Sequence, residues 1–284
     1  IPPNPPWKGG NYLKITEIKT GLSDPHNNGK SVIAVTFESG LKLVYKPKDL
    51  GTEIAYCQFL EWCNQQDIDL KFKVLKILNR RTHGWVEYVE HLPCENEAAA
   101  KRFYQRAGML LCLLYVLRVT DCHRENLVAN GEHFVLIDME TILHHEVEEI
   151  AETPEITTEE KTIYQRFLNS VLRTGLLPRW DFIKDNRVAY DITALGYFPD
   201  FNKTKNEEQK ELPANVAFLG DKPLLASDYL EEIITGFKQM YRCFLKQQKT
   251  LLSPNTPLAA MSTAKVRFVF RATRVYFTIL QKLQ

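Results

Sequence analysis

The 284 residues contain no Cys-x-x-Cys pair and no Gly-x-Gly-x-x-Gly loop. The most apolar run, Gly108 to Leu117, is ten residues long, about half of what a membrane-spanning helix needs. No integral membrane segment is therefore expected, and no signal peptide is visible. Charge of one sign is missing too. Lys plus Arg is 36 and Asp plus Glu is 35, for a net charge of +1. A near-neutral chain lacks the global field that draws a protein to nucleic acid or to an anionic membrane surface. The six cysteines, at 57, 63, 94, 112, 122 and 243, are too sparse for a disulfide scaffold and read as reduced thiols. The chain begins at Ile1 without a Met and stops inside the apolar periodic stretch Val275 to Leu283, which reads as a piece of a longer polypeptide.

What remains is a composition that can bury a sizeable core, 44% hydrophobic and 25% charged. After the Pro/Gly-rich opening IPPNPPWKGG, three runs carry the alternation of strands: Tyr12 to Thr20, Ser31 to Phe37 and Leu41 to Tyr45. The turn-rich Ser23 to Lys30 joins the first two, and Glu38-Ser39-Gly40 joins the second to the third. Residues 12–46 thus predict a three-stranded antiparallel meander ending in Lys46. A helix follows over Thr52 to Gln65, with Thr52 as N-cap. Phe72 to Ile77 and Gly84 to Val89 read as two more strands.

From Glu95 the period changes. Glu97 to Leu117 predicts a long helix, polar at first and then apolar all round, hence central and buried. Two short strands, Leu127 to Ala129 and Phe134 to Ile137, flank the hairpin signal Asn130-Gly131. Glu146 to Lys161 is acidic and irregular. Glu159 to Arg173 and Ser227 to Gln248 read as helices, and Asp181 to Leu212 as a loop-rich insertion. This is an α+β plan of two lobes: a sheet-rich N-lobe over 1–90 and a mainly helical C-lobe over 91–284.

The densest chemistry lies in Thr120-Asp121-Cys-His123-Arg-Glu-Asn126, followed by the hairpin and then Asp138-Met-Glu140. Phosphoryl transfer from ATP needs such a set: one carboxylate to orient the attacking hydroxyl, and an amide with a second carboxylate to hold Mg²⁺ against the phosphates. In the protein-kinase template the catalytic Asp and Asn are five apart, as Asp121 and Asn126 are, and the metal Asp follows about a dozen residues on, as Asp138 does. A lysine on the third strand of an antiparallel sheet grips phosphates there, and Lys46 stands at that place. Two parts of the template differ. No Gly-rich loop precedes Lys46, and Asp138-Met139-Glu140 replaces Asp-Phe-Gly, so that in a strand Glu140 would share a face with Asp138. These departures point to a divergent kinase-like fold.

Four segments, YKPKDL, TDCHRENLVANGEHFVLIDMETILHH, SVLRTGLLPRW and VRFVFRATRVYFTILQKL, resemble in the same order the dehydratase domain of class II lanthipeptide synthetases, the LanM family. The resemblance runs from about Asn11 to Leu283. It implies a lipid-kinase-like core in a bacterial cytoplasmic enzyme that uses ATP and Mg²⁺ to phosphorylate Ser and Thr of a ribosomal precursor peptide (leader plus core). The same site then eliminates phosphate to give dehydroalanine and dehydrobutyrine. The resemblance assigns phosphorylation to Asp24, His26, Lys46, Asp121, His123, Asn126, Asp138 and Glu140, and elimination to Arg267 and Thr273. Of these, Lys46, Asp24, His26, Asn126 and Asp138 would bind nucleotide, and Asn126, Asp138 and Glu140 the metal. It also implies a zinc-dependent C-terminal cyclase domain as partner, for which this chain carries no sequence. The alternative is a divergent phosphotransferase that stops at phosphorylation of a peptide or small-molecule hydroxyl. A third reading is a silent kinase-like binding module, which the intact Lys46, Asp121, Asn126 and Asp138 disfavour.

The closing segment has its own logic. Arg267, Arg271 and Thr273 share a face in a strand, whereas in a helix only the two arginines do. Co-facial arginines suit phosphate and the charge left on a departing oxygen, or they pair with the acidic loop and snorkel over the core. Lys46 is a candidate base for elimination if burial or neighbouring cations lower its pKa. Other prominent residues have plainer readings: His144-His145 structural, His83 and His133 at surface turns, Cys122 a buried filler. Trp85 to Val89 either meets adenine through its backbone or is an ordinary strand.

Overall fold

The computed structural model describes residues 14–23, 30–120, 122–139, 142, 162, 165–179, 181–183, 188–190, 193–197 and 213–262. The architecture is α+β, with an antiparallel sheet and several helices. The chain divides into two compact units, one of residues 1–54 with 75–88 and one of residues 55–74 with 89–284.

The first unit is built on a five-stranded antiparallel sheet in the order β1-β2-β3-β5-β4. Its strands are β1 (Ile15–Lys19), β2 (Ile33–Phe37), β3 (Lys42–Lys46), β4 (Ile77–Asn79) and β5 (Gly84–Glu87). The expected meander is present. Gly40, at φ 80°, closes the β2–β3 turn by donating its N–H to the Phe37 carbonyl. The register places Ile33 opposite Tyr45 and Lys46 opposite Gly84. Helix α1 (Gly51–Asn64) starts one residue before Thr52. Asp49 is the reason: its Oδ1 accepts the Gly51 N–H at 3.0 Å and leaves Thr52 inside the first turn.

The strand expected over Phe72 to Ile77 is met only at its last residue: residues 71–76 are not in a strand, and β4 begins at Ile77. Side chains satisfy this stretch of backbone instead. The Asn64 amide accepts the Phe72 N–H at 2.7 Å and donates to the Phe72 carbonyl at 2.9 Å, while the Lys71 carbonyl accepts from Arg106 Nε. With both main-chain groups of Phe72 engaged this way, no neighbouring strand is needed.

The second unit is organised around α2 (Glu97–Val116), whose N-cap Asn96 accepts the Ala99 N–H at 2.9 Å. The helix is buried from Ala99 to Leu114 save Lys101, Arg102 and Gln105, as its apolar composition predicts. It packs on α3 (Leu230–Lys246). Two glycines make that contact possible: a Cβ on Gly108 would lie 1.9 Å from the Ile233 carbonyl oxygen, and one on Gly236 1.8 Å from that of Gln105. Behind α2 runs the hairpin of β6 (Leu127–Asn130) and β7 (His133–Leu136), with Phe103 of α2 against Phe134 at 5.1 Å between ring centroids. The expected loop over Asp181 to Leu212 carries a small hairpin, β8 (Asp181–Ile183) with β9 (Val188–Tyr190). A two-residue pair, β10 (Phe218–Leu219) with β11 (Lys222–Pro223), lies further on. Two short helices, α4 (Gln248–Leu251) and α5 (Pro257–Met261), follow α3. Among the described residues no helix is long and apolar enough to cross a membrane.

Candidate functional site

Lys46 ends β3 with 7% of its surface exposed. Its Nζ lies 3.9 Å from Oε1 of Glu53, which is 3% exposed, and Lys48 Nζ lies 3.0 Å from the same oxygen. A turn of chain between Lys46 and Glu53 brings them together. Asn79 braces it, accepting the Leu50 N–H and donating to Asp49 Oδ1. Gly84, opposite Lys46, has no room for a side chain, since a Cβ there would meet Leu50 Cδ1 at 2.2 Å. A buried ammonium on a buried carboxylate is oriented, and a cation so placed can meet phosphate oxygens. Glu53 is the residue that sequence reasoning missed.

In the second unit α2 runs out at Val116, and Arg118, at φ 54°, turns the chain in the left-handed region. The loop that follows is tied down by its backbone. Cys122 donates its N–H to the Thr174 carbonyl at 2.9 Å, and His123 bridges antiparallel to Thr193. Gly175 sits at φ 73° against Cys122, where a Cβ would stand 3.2 Å from the Cys122 N and O. His123 caps a short 3₁₀ turn, its Nδ1 accepting the Glu125 N–H at 3.3 Å. Asn126 then starts the hairpin. The Ile137 N–H donates to the Asn126 carbonyl at 2.8 Å, so Asn126 and Asp138 stand at the same, open end of β6–β7. His123, Asn126 and Asp138 are half-buried, whereas Cys122 is 1% and Met139 2% exposed.

An amide oxygen and a carboxylate, both reachable by solvent, form a hard oxygen donor pair that fits Mg²⁺. Among the described residues no group of three or more His, Cys, Asp or Glu could hold a metal ion. Asp24, His26, Asp121, Glu140, Arg267 and Thr273 lie outside the described residues, as do Arg271 and His144-His145. The structure therefore groups Lys46 with Glu53 in one unit, and His123 with Asn126 and Asp138 in the other.

Cys122 is the buried filler expected, and all six cysteines are buried and outside any disulfide. His133 corrects its expectation. It opens β7, half-buried rather than at a surface turn, and burial and the Arg106 charge push its pKa down to about 4.

Comparison with known proteins adds a family. Residues 7–284 match the model of a domain of unknown function, DUF4135. The chain belongs to this family. A Lactococcus lactis protein described as the lacticin 481/lactococcin biosynthesis protein LcnDR2 is 27% identical over 89% of the chain. The DUF4135 chain covers 30% of that relative's length. Both matches bear out the resemblance to the dehydratase region of LanM-type lanthipeptide synthetases.

Proposed function

We propose that this chain dehydrates Ser and Thr of a lanthipeptide precursor in two steps on a kinase-like, two-lobed fold: phosphorylation by ATP, then elimination of the phosphate. The observation that carries the reading is the buried Lys46–Glu53 contact at the end of the third strand. The kinase template uses this lysine–glutamate pairing to grip nucleotide phosphates. The relative's printed role in lacticin 481/lactococcin biosynthesis supports a ribosomal precursor peptide, of leader and core, as the substrate of this reading. Cyclisation belongs to another part of the longer family proteins.

In this reading Lys46, fixed by Glu53, binds phosphate oxygens, with Asp24 and His26 completing the nucleotide site. Asn126 and Asp138, with Glu140, would hold Mg²⁺, which when bound offsets phosphate charge. Asp121 orients the hydroxyl of the substrate Ser or Thr and takes its proton, and His123 assists the transfer. For elimination a base removes the Cα proton while Arg267 stabilises the departing phosphate and Thr273 orients it. Buried thiols without disulfides fit a reducing bacterial cytoplasm. The test is nucleotide binding with Mg²⁺ titrated. Asp138→Asn should raise the Mg²⁺ requirement by at least about tenfold. An unchanged requirement in that variant refutes the metal assignment.

A further inference from the structure

The tip of the β6–β7 hairpin is held far more firmly than a two-residue turn requires. Arg106, on α2 and 7% exposed, spends its guanidinium on it. Nη2 meets Glu132 Oε1 at 2.8 Å, Nη1 donates to the Glu132 carbonyl at 3.0 Å, and Nε reaches the Lys71 carbonyl at 2.8 Å. Arg102, one helical turn earlier, takes the other carboxylate oxygen, Oε2. The neighbours of Glu132 are fixed as well. Lys73 Nζ donates to Asn130 Oδ1 at 3.0 Å, the Asn130 amide donates to the Glu90 carbonyl at 2.8 Å, and the Gly131 N–H donates to the Leu92 carbonyl at 3.0 Å.

An isolated two-stranded hairpin is marginal in water, and its register is set by its turn. Here the turn is Gly131-Glu132, with Gly131 at φ 59°. A slip of one residue would turn the β7 side chains to the opposite face. Asp138 stands two residues past the end of β7, held there by the Ile137 N–H on the Asn126 carbonyl, whereas Asn126 directly precedes β6 and is anchored through the His123 carbonyl. Whatever fixes the turn therefore fixes Asp138 against Asn126. The same helix that carries Arg106 leads into the loop of His123, so one rigid element aligns both.

We propose that Arg106 and Glu132 are positioning residues for the metal-holding pair Asn126 and Asp138: they lock the hairpin register from its tip, five residues from Asn126 and six from Asp138, or roughly 17–20 Å at ~3.3 Å per strand residue. The inference rests on the metal assignment made above. Arg106 is suited to this because its fork grips both the carboxylate and the carbonyl of one residue, which a lysine cannot do.

The test uses the full chain with a fluorescent ATP analogue at fixed concentration and MgCl₂ titrated, alongside melting temperatures. Arg106→Lys keeps the charge and loses the fork; Glu132→Gln keeps the shape and loses the charge. Each should raise the Mg²⁺ concentration for half-maximal nucleotide binding by about tenfold, the low end for groups that orient metal ligands from outside the first shell. Exchange of the Ile137 amide proton should quicken in both. Tyr229→Phe is the control. It removes the hydroxyl that donates to Glu97 Oε2 at 3.2 Å, and should lower the melting temperature with the Mg²⁺ midpoint in place. If Arg106→Lys does not fold, Glu132→Gln decides. Folded variants whose Mg²⁺ midpoint and Ile137 exchange match the parent overturn the proposal, provided Asp138→Asn shifts the midpoint. If Asp138→Asn shifts nothing, the metal assignment itself is overturned and the clamp's role with it.

Discussion

Gly108→Ala adds a single methyl group at the closest point of the α2–α3 contact. Its Cβ would lie 1.9 Å from the Ile233 carbonyl oxygen, where ordinary contact begins at 3.4 Å, so the helices must part locally by about 1.5 Å. The obstacle is main chain, which cannot rotate away as a side-chain tip can. A gap of 0.5–1 Å already forfeits roughly a quarter to a half of each contact across it, and Met109, beside Gly108 and against Gly236, is fully buried. Overpacking of a core costs about 1–3 kcal/mol, and a main-chain clash at this depth belongs at the top of that range. Against it, alanine gains about 0.5–1 kcal/mol over glycine inside a helix. The net expectation is a loss of about 2 kcal/mol, a large part of an ordinary domain's stability.

Urea unfolding followed by Trp fluorescence and circular dichroism measures this loss. Gly236→Ala should cost a similar amount, because its Cβ would meet the Gln105 carbonyl at 1.8 Å. The double variant should lose less than the sum, since helices already parted for one methyl have room for the other. A Gly108→Ala protein as stable as the parent would refute the close crossing, and strictly additive losses would refute the coupling between the two sites.

Acid should weaken the fold in two stages. The native state holds the His133 pKa at about 4 against an ordinary 6.5, so between these values the unfolded chain binds a proton that the native chain refuses, and stability falls with pH. Burial works to raise the Glu132 carboxyl, but hydrogen bonds and charge from Arg102 and Arg106 hold it below its ordinary 4.5, so its contribution is lost below that pH. Denaturation midpoints against pH should show both stages, and His133→Gln should flatten the first; an unchanged profile would contradict the assignment. In the proposed nucleotide site, Glu53→Gln takes a buried carboxylate away from the buried Lys46, so it should lower the melting temperature as well as weaken nucleotide binding by roughly tenfold. Equal affinity in isothermal titration would remove Glu53 from the site.

Much of this molecule was readable wherever period and turn chemistry act locally. The alternation over 31–46, the Asn130-Gly131 turn and the apolar length of α2 needed no tertiary information. The failures were places where a distant side chain decides. Phe72 to Ile77 reads as a strand, but Asn64 takes both main-chain groups of Phe72 and Arg106 takes the Lys71 carbonyl. Glu53 reads as an acidic first-turn residue favoured by the helix dipole, and only the turn of chain braced by Asn79 reveals it as the partner of Lys46. His133 follows a turn signal, and its burial depends on a helix nearly thirty residues earlier. Lys46, Asn126 and Asp138 stand out as a set in the sequence because their spacing matches the kinase template, independent of how each is held.

The central claim is that phosphate is first added and then expelled. Its most direct test is the mass of a precursor peptide, encoded alongside the chain, after incubation with the enzyme, ATP and Mg²⁺. The parent should deliver a peptide lighter by one water for each modified Ser or Thr. Arg267→Ala and Thr273→Ala should deliver the same peptide heavier by phosphate, the second step slowed by about 10²–10³-fold. A parent that yields only phosphopeptide, or variants that return unmodified peptide with ATP unspent, would contradict the account.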